Sequence, residues 1–178
     1  MLKKKVKSAV NCFCRMFPDA KNIIDVGCRE GYSIEYFLKK DKNPLGIEIK
    51  MPKKGYPRID VRGCVVVDDF LGINITPTGT KDAVFSRHSI EHMDTEGFFK
   101  RSSEVLKPGG ILFIVFPLQQ WATLNRGLDD EKEMLSIEDS MSDFFKEPKD
   151  FKTTHFGKTS EFGIKPMDID YLWVGEKI

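Results

Sequence analysis

Apolar residues gather in five short runs, Asn22 to Val26, Pro44 to Ile49, Cys64 to Val67, Asp82 to Phe85 and Ile111 to Phe116. Each is too short for a buried helix and close to continuously apolar, so the runs read as strands covered on both faces. Helical periods separate them. Between Tyr32 and Lys39 the apolar positions 34, 37 and 38 fall on one helix face, and Thr95 to Leu106 spaces Phe98, Phe99, Val105 and Leu106 the same way. Strand and helix therefore alternate, which predicts βαβ units, right-handed crossovers and a mostly parallel sheet. Residues 1–20 read as an N-terminal helix.

Two connections break the rhythm. Gly72 to Lys81 is rich in breakers and predicts a loop in place of a crossover helix. Residues 119–150 form the larger departure: Leu128 to Asp150 holds nine acidic residues against three lysines, with Met134, Leu135, Phe144 and Phe145 among them. That composition suits a solvated helix pair, a lid over a ligand or a mobile insertion. Beyond it, Asp170 to Gly175 predicts a last strand, whereas Thr153 to Gly157 carries no clear pattern. The chain, residues 1–178, has no internal repeat or low-complexity linker, and its length fits a single domain with a core of its own.

Charge and composition then exclude several classes. Twenty-eight Lys and Arg against 27 Asp and Glu leave a net charge of +1, which gives no support for nucleic-acid binding through a global field. The basic start, Lys3 to Lys7, reads as a solvated, frayed end, with contact to a phosphate backbone or an acidic membrane face as the alternative. No apolar run is long enough to span a bilayer. No secretory h-region follows the first lysines, so the expected compartment is cytoplasmic. Four scattered cysteines, Cys12, Cys14, Cys28 and Cys64, suit reduced thiols, and no metal-ligand set completes the Cys12/Cys14 pair. Nothing in the sequence sets an oligomeric state.

The chemistry concentrates at Asn22-Ile-Ile-Asp-Val-Gly-Cys-Arg-Glu-Gly31, a strand running into a glycine turn and then a helix. Seventeen residues after Gly31 comes Glu48, at the end of the next strand. In an open α/β sheet this places a carboxylate beside the loop, in reach of vicinal ribose hydroxyls, and implies a nucleoside-bearing cofactor. A dinucleotide requires G-x-G-x-x-G and a triphosphate G-x-x-x-x-G-K-[ST]; both are absent. Asp25 at the mouth of the loop would repel phosphate but accept from an ammonium group.

With these residues in view, the chain resembles the class I S-adenosylmethionine-dependent methyltransferases. Asp25-Val-Gly-Cys-Arg-Glu-Gly31 is similar to their D-x-G-C-G-x-G motif, and Glu48 to the acid ending their second strand. Val67-Asp-Asp-Phe-Leu71 is similar to their third-strand motif, Phe85-Ser-Arg-His-Ser-Ile-Glu-His-Met93 to the fourth-strand segment of small-molecule members, and Val105 to Leu112 to the turn into strand five. The resemblance implies a three-layer Rossmann-like α/β sandwich with a mostly parallel seven-stranded sheet and helices on both faces. It implies S-adenosyl-L-methionine as cofactor, a small-molecule or other polar acceptor, and cofactor contacts from Asp25, Gly27, Cys28, Arg29, Gly31, Glu48, Ile49, Asp68, Asp69, Phe70, Arg87 and His88.

Methyl transfer from a sulfonium is an in-line displacement, accelerated chiefly by alignment, and a base is needed only if the acceptor must lose a proton. His88 and His92 are the candidate catalytic bases, with packing or capping the alternative role for each. His155 has no assigned role. The chain lacks Asn/Asp-Pro-Pro-Tyr and Pro-Cys, signatures of amino-group and pyrimidine methylation. It departs from the family at Arg29, where a glycine is usual. That side chain either points outward, forks onto the methionine carboxylate or obstructs the site, and the last would leave a noncatalytic cofactor-binding or partner-interaction module.

Overall fold

A computed structural model of the chain describes residues 2–52, 59–73, 77–117, 148–164 and 170–178. Its strands are β1 (Asn22–Val26), β2 (Asn43–Glu48), β3 (Val65–Val67), β4 (Lys81–Arg87), β5 (Leu106–Pro117), β6 (Phe151–Lys158) and β7 (Asp170–Lys177), joined in one seven-stranded sheet of order β3-β2-β1-β4-β5-β7-β6. Strands β1 to β5 run parallel, whereas β7 lies antiparallel between β5 and β6. This is the mostly parallel sheet that the alternation of elements implied, in the Rossmann-like sandwich that the resemblance implied.

Side chains alternate across the sheet. Ile23, Phe85, Phe113, Val115, Leu172 and Val174 face helices α1 (Leu2–Met16) and α2 (Tyr32–Leu38), and Ile24, Val84, Leu112, Ile114 and Trp173 face α4 (Thr95–Val105). On the first face Phe13 of α1 meets Phe37, Phe85 and Phe113 with ring centroids 5.4 to 6.0 Å apart. Asp82 lies at the amino end of the central strand β4. Its carboxylate accepts from the amides of Lys21 (2.8 Å) and Asn22 (2.7 Å) and pairs with Lys107 (2.7 Å). Burial alone would raise its pKa, but these donors hold it down at about 2. Helix α4 starts at Asp94, whose side chain accepts from the Gly97 amide at 3.1 Å.

The structure corrects the sequence reading in three places. Strand β3 is not covered on both faces: it forms an edge, and Val67 is exposed. Strand β5 begins at Leu106 rather than Ile111, because Gly109 takes a left-handed φ of 71° that carries the chain through the Lys-Pro-Gly-Gly turn without leaving the sheet. A four-residue helix, α3 (Ile59–Arg62), precedes β3 in a polar stretch that shows no apolar period. The lid read into residues 119–150 lies outside the described residues except at 148–150. No helix among the described residues is long and apolar enough to cross a membrane.

Candidate functional site

Strand β1 is central, and the chain leaving its carboxyl end turns through three left-handed residues in five: Gly27 (φ 74°), Arg29 (φ 48°) and Gly31 (φ 74°). Neighbouring segments pin this loop. The Gly27 amide donates to Ile47 O at 2.8 Å, and the Ser89 hydroxyl, arriving from beyond β4, donates to Val26 O at 3.0 Å. The fit admits only glycine, since a Cβ on Gly27 would stand 1.9 Å from Ser89 Oγ. Arg29 occupies the region where glycine is at ease, at a cost of about 1–2 kcal/mol, and its side chain is exposed at the mouth of the cavity described next. Its amide donates to Glu48 Oε2 at 2.7 Å. The apposition of Glu48 and the glycine loop is therefore present in the folded chain.

Beside the loop opens a cavity of about 160 Å³. Val6 of α1, Tyr32 of α2 and Phe85 of β4 give it apolar walls, while Asp25, Arg87, His88, Glu91 and His92 bring ionisable groups. Asp25 is only 2% exposed. Burial pushes its pKa up to about 7, opposed by the hydroxyl of Ser33, which donates to Oδ2 from the first turn of α2, and reinforced by Glu48. Asp25 by itself is thus close to half neutral at pH 7, and a cation beside it would draw it into the carboxylate form.

A second buried cluster lies on the segment leaving β4. Arg87 Nε and Nη2 and both carboxylate oxygens of Glu91 are buried without a hydrogen-bond partner among the described residues. Burial draws the arginine pKa down and pushes that of the glutamate, 3% exposed, up. Unpaired buried polar atoms are costly, and in a cavity wall they are open to water or a ligand. His88, also left-handed (φ 55°), donates its amide to Val115 O at 2.8 Å and sets Nε2 3.1 Å from Asp170 Oδ2. His92 sits on a single 3-10 turn (Ile90–His92), its side chain 49% exposed and its Nε2 4.0 Å from Glu91 Oε1.

Of the residues singled out in the sequence, Asp25, Gly27, Cys28, Arg29, Arg87, His88 and His92 line this cavity. Cys28 turns into a small apolar cluster with Ile34 and Val61, where burial pushes its thiol pKa up. Gly31, Glu48, Ile49, Asp68, Asp69 and Phe70 lie outside the lining. Glu48 and the 69%-exposed Ile49 follow the loop along the rim of β2. Asp69 accepts from the Leu71 amide at 3.0 Å in a turn, and Phe70 packs in the core against Phe98. His155 is exposed on β6 beside Phe162 and takes no part. Trp173 is core, with Nε1 donating to Thr153 Oγ1 at 3.2 Å; Trp121 lies outside the described residues. Sequence reasoning missed Ser33, Val6 and Asp170. Ser33, one turn into the helix after the glycine loop, was open to prediction from spacing, but nothing local marks Asp170. Among the described residues no group of three His, Cys, Asp or Glu is placed to hold a metal ion.

A family profile described as a methyltransferase domain matches residues 24–114, just over half of the chain. No curated protein matches by sequence. Among solved structures, the chain is similar to a TehB-like SAM-dependent methyltransferase from Corynebacterium glutamicum (TM-score 0.66, 16% identity, covering 96% of this chain and 88% of that one). It is similar also to 1,6-didemethyltoxoflavin-N1-methyltransferase from Burkholderia thailandensis, solved with 1,6-didemethyltoxoflavin and S-adenosylhomocysteine (0.67, 12%, 98% and 79%). A third is the geranyl diphosphate C-methyltransferase from Streptomyces coelicolor (0.60, 14%, 90% and 70%). At such identities these likenesses speak for the fold alone. The profile match goes further, and on it this chain belongs to the methyltransferase domain family.

Proposed function

We propose that the chain is a cytoplasmic enzyme that binds S-adenosyl-L-methionine and passes its methyl group to a small-molecule acceptor. The observation that carries this reading is the left-handed loop after β1 with the Glu48 carboxylate 2.7 Å from its amide. It is a seat for an adenosyl group that has neither the glycines nor the P-loop lysine that phosphates require.

The buried polar atoms fit the rest of the cofactor. Asp25 and Glu91 offer acceptors to an ammonium group, and Arg87 offers two unpaired N–H donors to a carboxylate. A cavity of about 160 Å³ is smaller than the roughly 300–1,000 Å³ of a whole ligand site. It suits the amino-acid end, with the nucleoside lying along Glu48, Ile49, Asp68 and Asp69. When bound, the cofactor supplies a methyl group already activated by positive sulfur, so the protein's work is mainly alignment. The acceptor side falls to His88, Glu91 and His92. The toxoflavin-type substrate named for one structural neighbour supports a small acceptor here, and the near-zero net charge agrees. No disulfide joins the cysteines among the described residues, which agrees with a reducing compartment.

The strained Arg29 favours a second reading, a noncatalytic binding module. Calorimetry separates the enzyme from a module whose cofactor site Arg29 obstructs, and from a dehydrogenase. S-adenosylmethionine and S-adenosylhomocysteine should both bind and NADH should not; a folded sample inert to the first two removes the enzyme. Glu48→Ala should cost about 1.5–3 kcal/mol of affinity for S-adenosylhomocysteine if the carboxylate accepts from ribose hydroxyls. An unchanged dissociation constant would take Glu48 out of the site.

A further inference from the structure

His88 combines three features that no neighbouring residue shares. It holds a left-handed backbone (φ 55°), which a non-glycine residue keeps only when its surroundings enforce it. Two contacts do so: its amide on Val115 O, and its ring on Asp170. Asp170 is 2% exposed and comes from the start of β7, 82 residues along the chain from His88. With Asp170 ionised, its carboxylate only accepts, which makes Nε2 the donating nitrogen. Nδ1 makes no hydrogen bond to any described residue, and His88 lines the cavity. A buried carboxylate thus sets the tautomer of an imidazole at a proposed methyl-transfer site and leaves the other nitrogen as a free lone pair. His92, half exposed and with Nε2 4.0 Å from Glu91, has no such anchor.

We infer that Asp170 is a positioning residue that holds His88 as the base for methyl transfer, and that the acceptor arrives bearing a proton, as a hydroxyl, thiol or N–H group. This rests on the S-adenosylmethionine reading above. The acceptor atom's lone pair forms the new bond to the methyl carbon. The methyl–sulfur bond breaks with its electron pair staying on sulfur, giving a neutral thioether. The acceptor's proton passes to Nδ1, and the resulting imidazolium is held against Asp170 until it returns the proton to water. Arg87 from β4, Cys28, Arg29 and Glu30 from the glycine loop, Tyr32 from α2, Glu91 and His92 from the 3-10 turn and Asp25 from β1 are the other charged or titratable groups around this cavity.

The test reads the tautomer directly and needs no known acceptor. The full chain has three histidines, so ¹⁵N spectra of its imidazoles are readily assigned. At pH 8, with S-adenosylhomocysteine bound, His88 should appear as the Nε2–H tautomer with Nδ1 bare, and His92 as an average of the two forms. Asp170→Ala should return His88 to an average of the two forms. If that variant fails to fold, the wild-type spectrum decides. An Nδ1–H or averaged His88 in the wild-type complex overturns the inference while leaving the cofactor reading intact; failure of the wild type to bind S-adenosylhomocysteine removes both. For the acceptor class, phenol titrated into the complex should move the Nδ1 resonance, since its hydroxyl can donate there, and anisole should not. Equal responses, including none from either, would overturn the proton-bearing acceptor.

Discussion

Within two residues β4 passes from one kind of interior to another. Phe85 stacks on Phe113, centroids 5.3 Å apart and rings nearly parallel, in an aromatic pack completed by Phe13 and Phe37. Arg87 lies where nitrogen atoms are buried without partners, beside a glutamate in the same condition. The first region satisfies itself: Phe85 and Phe113 stack, and Phe13 and Phe37 meet them edge to face. The second is left unfinished, with left-handed residues on both sides of it and carboxyls pushed towards neutrality. The contrast teaches that the sheet keeps its stability beneath the helices and spends some of it at the carboxyl edge, where a ligand can repay it.

Substitutions in each region should therefore fail differently. Phe13→Ala should be the most damaging, about 3–5 kcal/mol in urea unfolding, while the molecules that stay folded bind S-adenosylhomocysteine as the wild type does. Gly27→Ala adds a Cβ at a positive φ against Ser89 Oγ and should cost about 2–4 kcal/mol. Unlike Phe13→Ala it should abolish cofactor binding, and adding Ser89→Gly should recover part of the stability. A Gly27→Ala protein with normal affinity would erase the distinction between the two regions.

Asp25→Asn sharpens it through pH. The folded state holds the Asp25 proton up to about pH 7, whereas an unfolded aspartate releases it near 3.8. The folded chain therefore binds more protons across that window, and its stability without ligand should fall as pH rises from about 4 to 7. The asparagine variant should lose that component of the slope in thermal melts and bind S-adenosylmethionine more weakly at pH 8. The smallest effect belongs to Arg29→Gly, which relieves the left-handed strain and should raise stability by about 1 kcal/mol. A drop in S-adenosylmethionine affinity in that variant would mean that the Arg29 guanidinium meets the methionine carboxylate.

What could be read from the sequence followed the range of the forces involved. Strands β1, β2, β4 and β5 show as apolar runs because both of their faces are covered, and the loop after β1 shows because only glycine-like conformations close it. Strand β6 escaped because its residues are largely exposed, so Thr153 to Gly157 carries no apolar signature. The position of Glu48 beside the loop followed from spacing, since two adjacent parallel strands must end on the same rim. The pairing of His88 with Asp170 could not, because it depends on β7 entering the sheet next to β5, a choice made by packing across the whole domain.

That entry has a consequence for how the chain assembles. Among the described strands β6 pairs only with β7, and it comes before β7 in the chain. As the chain grows from the ribosome, β6 emerges with bare edges on both sides and cannot join the sheet until its successor arrives. The two strands must dock as one event, and a pause in synthesis between them would expose a sticky backbone edge for a chaperone to shield.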